Sequence, residues 1–183
     1  MMLRLAAMVA AALSMCAGAT AAAAQPRGAE TYWEPDCDYS LEGGEDPRNR
    51  ETLWTARMQA EPICLLAGAT AWARHDKERS ARLYALANVR RYYDIGRCQQ
   101  GAYGPFSSMM AALGMSAGEK LREAGVLLGL EQIRTVAMDE ETYRYRTDHL
   151  RTMCDGAVKP TRAWPAEQAK IKAEVEAAAR QAR

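Results

Sequence analysis

From residue 47 onward, apolar side chains recur three and four positions apart, the spacing of helices with one covered face. Asp46-Pro47 supplies an N-cap followed by proline at the first helical position, and Leu53, Trp54 and Met58 follow on a stretch that reaches Ala60. Glu61-Pro62 restarts or kinks that helix, because an interior proline loses a hydrogen bond and clashes with the preceding turn. The next stretch, ICLLAGATAWARH, is apolar on nearly every side and predicts a central, well-covered helix. Asp76 is placed to cap a third helix that ends near Cys98. Its buried side is expected to carry Leu83, Leu86, Ala87, Tyr93 and Ile95, with Arg79, Arg82 and Arg90 leaning outward. Gly101, Gly104 and Pro105 close it.

SSMMAALG then predicts one short helix. Ser116-Ala117-Gly118-Glu119 has the capping-box pattern and predicts a fresh start, with Leu121, Ala124 and Leu128 as the seam of a helix reaching Met138. Asp139-Glu140-Glu141 puts negative charge at the start of a further helix running to about Cys154. Gly156 and Pro160 break the chain, and Pro165 begins a last helix with only Ile171, Val175 and Ala178 as a thin stripe, expected to dock weakly or stay in solvent. No alternating run and no Asn-Gly turn marks a strand. The fold class expected is all-α, a single-domain bundle of about five main helices. Gly125 to Gly129, GVLLG, has the spacing that lets two helices cross closely.

The N-terminal pattern differs. One positive charge at Arg4, an apolar run from Leu5 to Cys16 and small residues from Ala17 to Ala24 form the layout of a secretory signal peptide, with cleavage expected after Ala24. Leu13-Ser14-Met15-Cys16 roughly suggests a lipobox, but Met15 is bulky where a small residue is usual. No later segment has ~18 consecutive apolar residues. The expected division is a signal peptide at 1–24, an irregular acidic segment at 25–46, a helical domain at 47–156, and a linker with the weakly docked helix at 157–183. Removing Arg4 leaves 23 basic and 23 acidic side chains, without the basic excess of a nucleic-acid binder. Localisation in the periplasm follows from the export signal.

Removing the signal also removes Cys16 and leaves Cys37, Cys64, Cys98 and Cys154, an even number that reads in an exported chain as two disulfides. The short separations favoured by zinc sites are absent. If consecutive helices alternate in direction, Cys98 and Cys154 end helices at the same end of the bundle, and the N-terminal segment can cover Cys64. The favoured pairing is Cys37–Cys64 with Cys98–Cys154.

Between residues 30 and 46 there are seven acidic residues and no Lys or Arg. Asp36, Asp38, Ser40 and Glu42 alternate like calcium ligands, but the glycine and glutamate that an EF-hand loop requires are replaced by Leu41 and Pro47. Asp36, Asp38, Glu42 and Glu45 are instead candidates for meeting a cationic partner, against the plainer reading of a solvated, disulfide-pinned loop. Between Arg48 and Cys98 there are ten basic residues against five acidic ones. Arg90, Arg91, Tyr92, Tyr93 and Arg97 form the second candidate partner-binding set, because Arg and Tyr are enriched at interface hot spots. The competing reading is internal: the acidic segment neutralises the basic helix and the tyrosines belong to the core.

Catalytic patterns are thin. His75 and His149 lack the spacing of a zinc protease; His75 is expected to end a helix, and an acid–base or ligating role for His149 needs partners the sequence does not identify. There is no G-x-S-x-G elbow and no phosphate loop. No cofactor and no metal site is expected, and Met109-Met110 reads as core filling.

The Ala-rich signal and four-cysteine helical body resemble the small periplasmic immunity proteins that neutralise type VI secretion toxins, in export, size, helicity and disulfides. That resemblance implies a protein that occludes a toxin's active site and does no chemistry itself, with the acidic segment or the Arg/Tyr helix meeting the toxin. The alternatives are a small periplasmic enzyme using a carboxylate pair on cell-wall glycan, and an envelope scaffold or adaptor.

Overall fold

The computed structural model describes residues 47–99 and 105–182, which fall within one compact unit. Seven α-helices occur among them: α1 (Pro47–Ala56), α2 (Pro62–Trp72), α3 (Lys77–Arg97), α4 (Pro105–Glu123), α5 (Leu130–Met138), α6 (Leu150–Met153) and α7 (Trp164–Gln181). The fold is all-α, and an isolated bridge between Cys98 and Val158 is the β-type pairing among the described residues. None of the described helices is long and apolar enough to cross a membrane.

The first three helices start as the sequence predicts. Prolines open α1 and α2, and the Asp76 carboxylate accepts the backbone N–H groups of Glu78 and Arg79 at 3.0 Å each, capping α3. Cys64, Leu65, Leu66, Ala69 and Trp72 of α2 are all buried, and this helix packs most extensively on α3. Leu83, Leu86, Ala87 and Tyr93 form the matching face of α3, while Ile95 is half-buried.

Three boundaries depart from expectation. SSMMAALG and the stretch after Ser116 belong to one helix, α4, so the Ser116 capping box does not form. Met110, Ala117 and Leu121 are buried along one face through that point, and continuous burial outweighs the local capping preference. The helix expected to reach Met138 stops at Gly125, whose φ of +71° suits glycine. Val126 N–H bonds Leu121 C=O and Gly125 N–H bonds Arg122 C=O, both at 2.9 Å, the paired bonds of a Schellman end. Gly129 then precedes α5, its N–H held by the Gln132 side chain at 2.7 Å. GVLLG is thus a helix break.

The third departure is the stretch expected to form a helix from Asp139 to Cys154. Asp139 caps only a 3-10 turn, Glu140–Tyr143. Thr142 Oγ1 donates to Val136 C=O at 2.7 Å and the Tyr143 hydroxyl to Ala137 C=O at 2.8 Å, so the segment folds back on α5. Helix resumes briefly as α6.

Cys98 and Cys154 form a disulfide with Cα atoms 5.1 Å apart, the pairing expected from helix direction. Cys64 is buried, and its expected partner, Cys37, lies outside the described residues, as do the whole segments 1–24 and 25–46. The last helix corrects the expectation of weak docking. It packs on α5 and α3, Val175 is buried, and Trp164 and Ile171 pack against the core. Arg134 bonds Glu176 at 2.8 Å, and Gly96 of α3 lies where a Cβ would come within 2.9 Å of the Glu167 carboxylate.

Candidate functional site

The densest polar cluster is buried where α3, the α1–α2 connection, α6 and Tyr145 meet. Asp94 sits one turn before Cys98, and His149 immediately precedes α6, which ends at the disulfide partner Cys154. The bridge therefore brings together two residues 55 positions apart. His149 Nε2 lies 2.7 Å from Asp94 Oδ2, and Nδ1 is 3.5 Å from Glu61 Oε1. The second contact has ion-pair range without hydrogen-bond alignment, and Nδ1 makes no hydrogen bond. Burial pulls the imidazolium down, but the hydrogen bond to Asp94 and the charges of Asp94 and Glu61 outweigh it and raise its pKa to about 9. At neutral pH His149 is a cation between two carboxylates.

Asp94 is saturated. Its Oδ1 accepts from Arg97 Nη2 and from the Tyr145 hydroxyl, and Arg97 Nη2 also donates to the Tyr145 oxygen at 2.6 Å. Burial, followed by the Asp94 charge, drives the Tyr145 phenol well above its ordinary range, so it stays a donor. Arg97 is fully buried, and its Nε and Nη1 make no hydrogen bond. Aromatic faces take their place: the guanidinium carbon lies 4.1 Å from the Tyr93 ring centre and 4.6 Å from that of Trp164.

Arg90, four residues nearer the start of α3 than Asp94, is a staple. Nε donates to Thr142 C=O at 2.8 Å, Nη1 to Arg57 and Ala60 C=O at 2.9 and 2.7 Å, and Nη2 to Met58 C=O at 2.9 Å. Burial lowers its pKa to about 10, which leaves it charged at neutral pH. It ties the turn between α1 and α2 to the turn after α5.

These placements correct the expected Arg/Tyr contact set. Arg90 and Arg97 have no exposed surface and Tyr93 is 4 % exposed, so none of the three can meet a partner. Arg90, expected to lean outward, points in because four carbonyls need its donors. Arg91 is half-buried and Tyr92 is exposed, with the Arg91 guanidinium 5.2 Å from the Tyr92 ring centre. The internal reading of the tyrosines holds for Tyr93. Among the described residues the basic charge of this region meets Asp94, Glu51 and Asp76, backbone carbonyls and aromatic rings; the Arg57 and Arg79 guanidiniums lie 4.1 and 4.9 Å from the centre of the Trp54 ring. Asp36, Asp38, Glu42 and Glu45 lie outside the described residues.

A small recess opens beside the ionic cluster, lined by Glu61, Ile63, Arg91, Met110, His149 and Met153 among others. Its free volume of about 10 Å³ has room for roughly one water-sized species, so it is no cleft for a glycan. Exposed apolar side chains lie elsewhere: Leu127 is 85 % and Leu128 40 % exposed on the break between α4 and α5, and Met115 on α4 is 57 % exposed.

Comparison with family models, with curated proteins and with solved structures gave no match. The site therefore stands on its geometry. Sequence reasoning named His149 but missed Asp94 and Glu61. The signal that could have found Asp94 was the favoured Cys98–Cys154 pairing, since Asp94 and Leu150 each stand four residues before one of the bridged cysteines. In the sequence Glu61 reads only as the residue before a helix-opening proline.

Proposed function

We propose that this chain is an exported binding protein of the bacterial envelope that occludes a partner protein and performs no chemistry of its own. The observation carrying the reading is the Leu127–Leu128 break. Val126 beside it is buried and bonded to Leu121, and Gly129 is bonded to Gln132, so the backbone is held at both ends. Two leucines presented on a pinned turn lose little conformational freedom on binding, and burying one stabilises a complex by about 1.5–3 kcal/mol. The Cys98–Cys154 disulfide supports an oxidising compartment, and the internal saturation of Asp94 supports a structural role for it. Within the envelope the partner we favour is a secreted antibacterial toxin whose active-site cleft accepts the leucines, as the resemblance to immunity proteins implies.

The test is neutralisation. The exported chain is co-expressed with the product of the adjacent open reading frame, and survival is compared with that of Leu127→Asp and Leu128→Asp variants. Protection by the unaltered chain that both variants lose supports the reading. An unaltered chain that does not protect, or a purified chain that hydrolyses wall glycan unaided, defeats it.

A further inference from the structure

The recess beside His149 carries an arginine whose charge the chain leaves unanswered. Arg91 lines it, is half-buried, and makes no hydrogen bond or ion pair among the described residues. Its guanidinium lies 5.2 Å from the Tyr92 ring centre, and its Nε is buried without a partner. Arginine keeps its charge in any protein environment, and a buried charged donor without an acceptor is costly. The facing wall holds His149, whose side chain is 7 % exposed and whose Nδ1 is likewise buried without a hydrogen bond. Nε2 faces Asp94 at 2.7 Å and Nδ1 faces Glu61 at 3.5 Å; ionised carboxylates only accept, so both ring nitrogens present N–H groups. Two cationic donors, one from α3 and one from the residue before α6, thus border a single recess. Ile63, Met110 and Met153 complete its walls with apolar atoms.

We propose that this recess binds one chloride ion, held by the Nε–H of Arg91 and the Nδ1–H of His149. Room for roughly one water-sized species admits a monatomic ion and excludes sulfate or phosphate. Charge limits the guest in the same direction. The Glu61 carboxylate shares the wall; its side chain is 25 % exposed and partly hydrated, and it tolerates one negative charge better than two. Asp94 cannot serve as the counter-ion of Arg91, because its oxygens are taken by Arg97, Tyr145 and His149. A water molecule could accept both hydrogen bonds, but it would leave the Arg91 charge uncompensated. Met110 and Met153 are each 2 % exposed, and such apolar walls favour a weakly hydrated halide over strongly hydrated fluoride. The site is separate from the Leu127–Leu128 turn and stands or falls without the occlusion role.

The experiment uses the oxidised chain at neutral pH in sodium gluconate, titrated with sodium chloride at constant ionic strength. Above the dissociation constant, each tenfold rise in chloride is expected to lower the unfolding equilibrium constant about tenfold. In ¹⁵N-labelled protein the Arg91 Nε–H signal should move with the same midpoint, while that of Arg134, which bonds Glu176, stays. Crystals grown in sodium bromide should show an anomalous peak within hydrogen-bond distance of Arg91 Nε and His149 Nδ1. Arg91→Gln keeps a neutral donor while removing the charge, and should weaken chloride binding at least about tenfold. The proposal is overturned if chloride and gluconate stabilise equally, which means that water alone fills the recess, or if the Arg91 signal stays fixed. It is equally overturned if Arg91→Gln responds to chloride as the unaltered chain does, or if bromide sits on surface arginines alone, an adventitious ion only.

Discussion

Arg90 spends four hydrogen bonds on carbonyls from two separate stretches of chain, residues 57–60 and Thr142. Arg90→Met should leave those carbonyls unsatisfied in the interior and cost about 3–5 kcal/mol, read from the urea midpoint by circular dichroism. Arg90→Lys has three donors in place of the planar fork and should recover only part of the loss. His149 makes a pH prediction. The groups facing it are Asp94 from α3 and Glu61 from the α1–α2 connection, with Arg91, Arg97 and Tyr145 around them. Its folded pKa of about 9 lies above the ordinary 6.5, so the stabilisation is complete below about pH 6.5 and is lost as pH rises through 9. Stability should fall by on the order of 3 kcal/mol between pH 6 and pH 10, and His149→Gln should flatten that decline. Neither role was legible in the sequence. An arginine on a helix reads as outward until the acceptors are known, and those of Arg90 lie 30 to 52 residues away.

At the scale of elements, the close helix crossing occurs at glycines that spacing arguments did not single out. The Tyr84 hydroxyl donates to Gly114 C=O at 3.0 Å, and a Cβ on Gly118 would come within 2.5 Å of the Tyr84 hydroxyl oxygen. Gly118→Ala should therefore cost about 1–3 kcal/mol. In a Tyr84→Phe background the clash is relieved, and the same change should be neutral or stabilising by up to about 1 kcal/mol because alanine favours helix. A double-mutant cycle of thermal midpoints checks this, and additive effects would contradict it. Helix starts were readable from proline and aspartate at α1, α2 and α3, because caps are local chemistry. The ends of α4 and the short 3-10 turn after α5 were not, because burial of Met110, Ala117 and Leu121 and the bonds of Thr142 and Tyr143 are set by distant partners. The final helix misled for a related reason. Its stripe is thin, but Trp164 just before Pro165 supplies the bulk that seats it against Arg97.

For the whole molecule, the all-α class and the Cys98–Cys154 pairing agree with the sequence reading, although the long helix assumed to carry Cys154 is a 3-10 turn followed by the short α6. That bridge closes a loop of 56 residues, and replacing both cysteines by alanine should lower stability by about 4 kcal/mol, seen as a drop in thermal midpoint. The recess was out of reach of the sequence, because Glu61, Met110 and His149 come from three parts of the chain that only packing brings together.

Asp94 and His149 flank the sulfur bridge one helical turn back on either side. Before the sulfurs join, a carboxylate and an imidazole far apart along the chain must find each other by diffusion of a long segment. Afterwards they face each other as tethered reactants, at an effective concentration set by a few bonds. Oxidation thus acts as a latch for burying charge: joining the two thiols shortens the search by which the carboxylate and the imidazole meet.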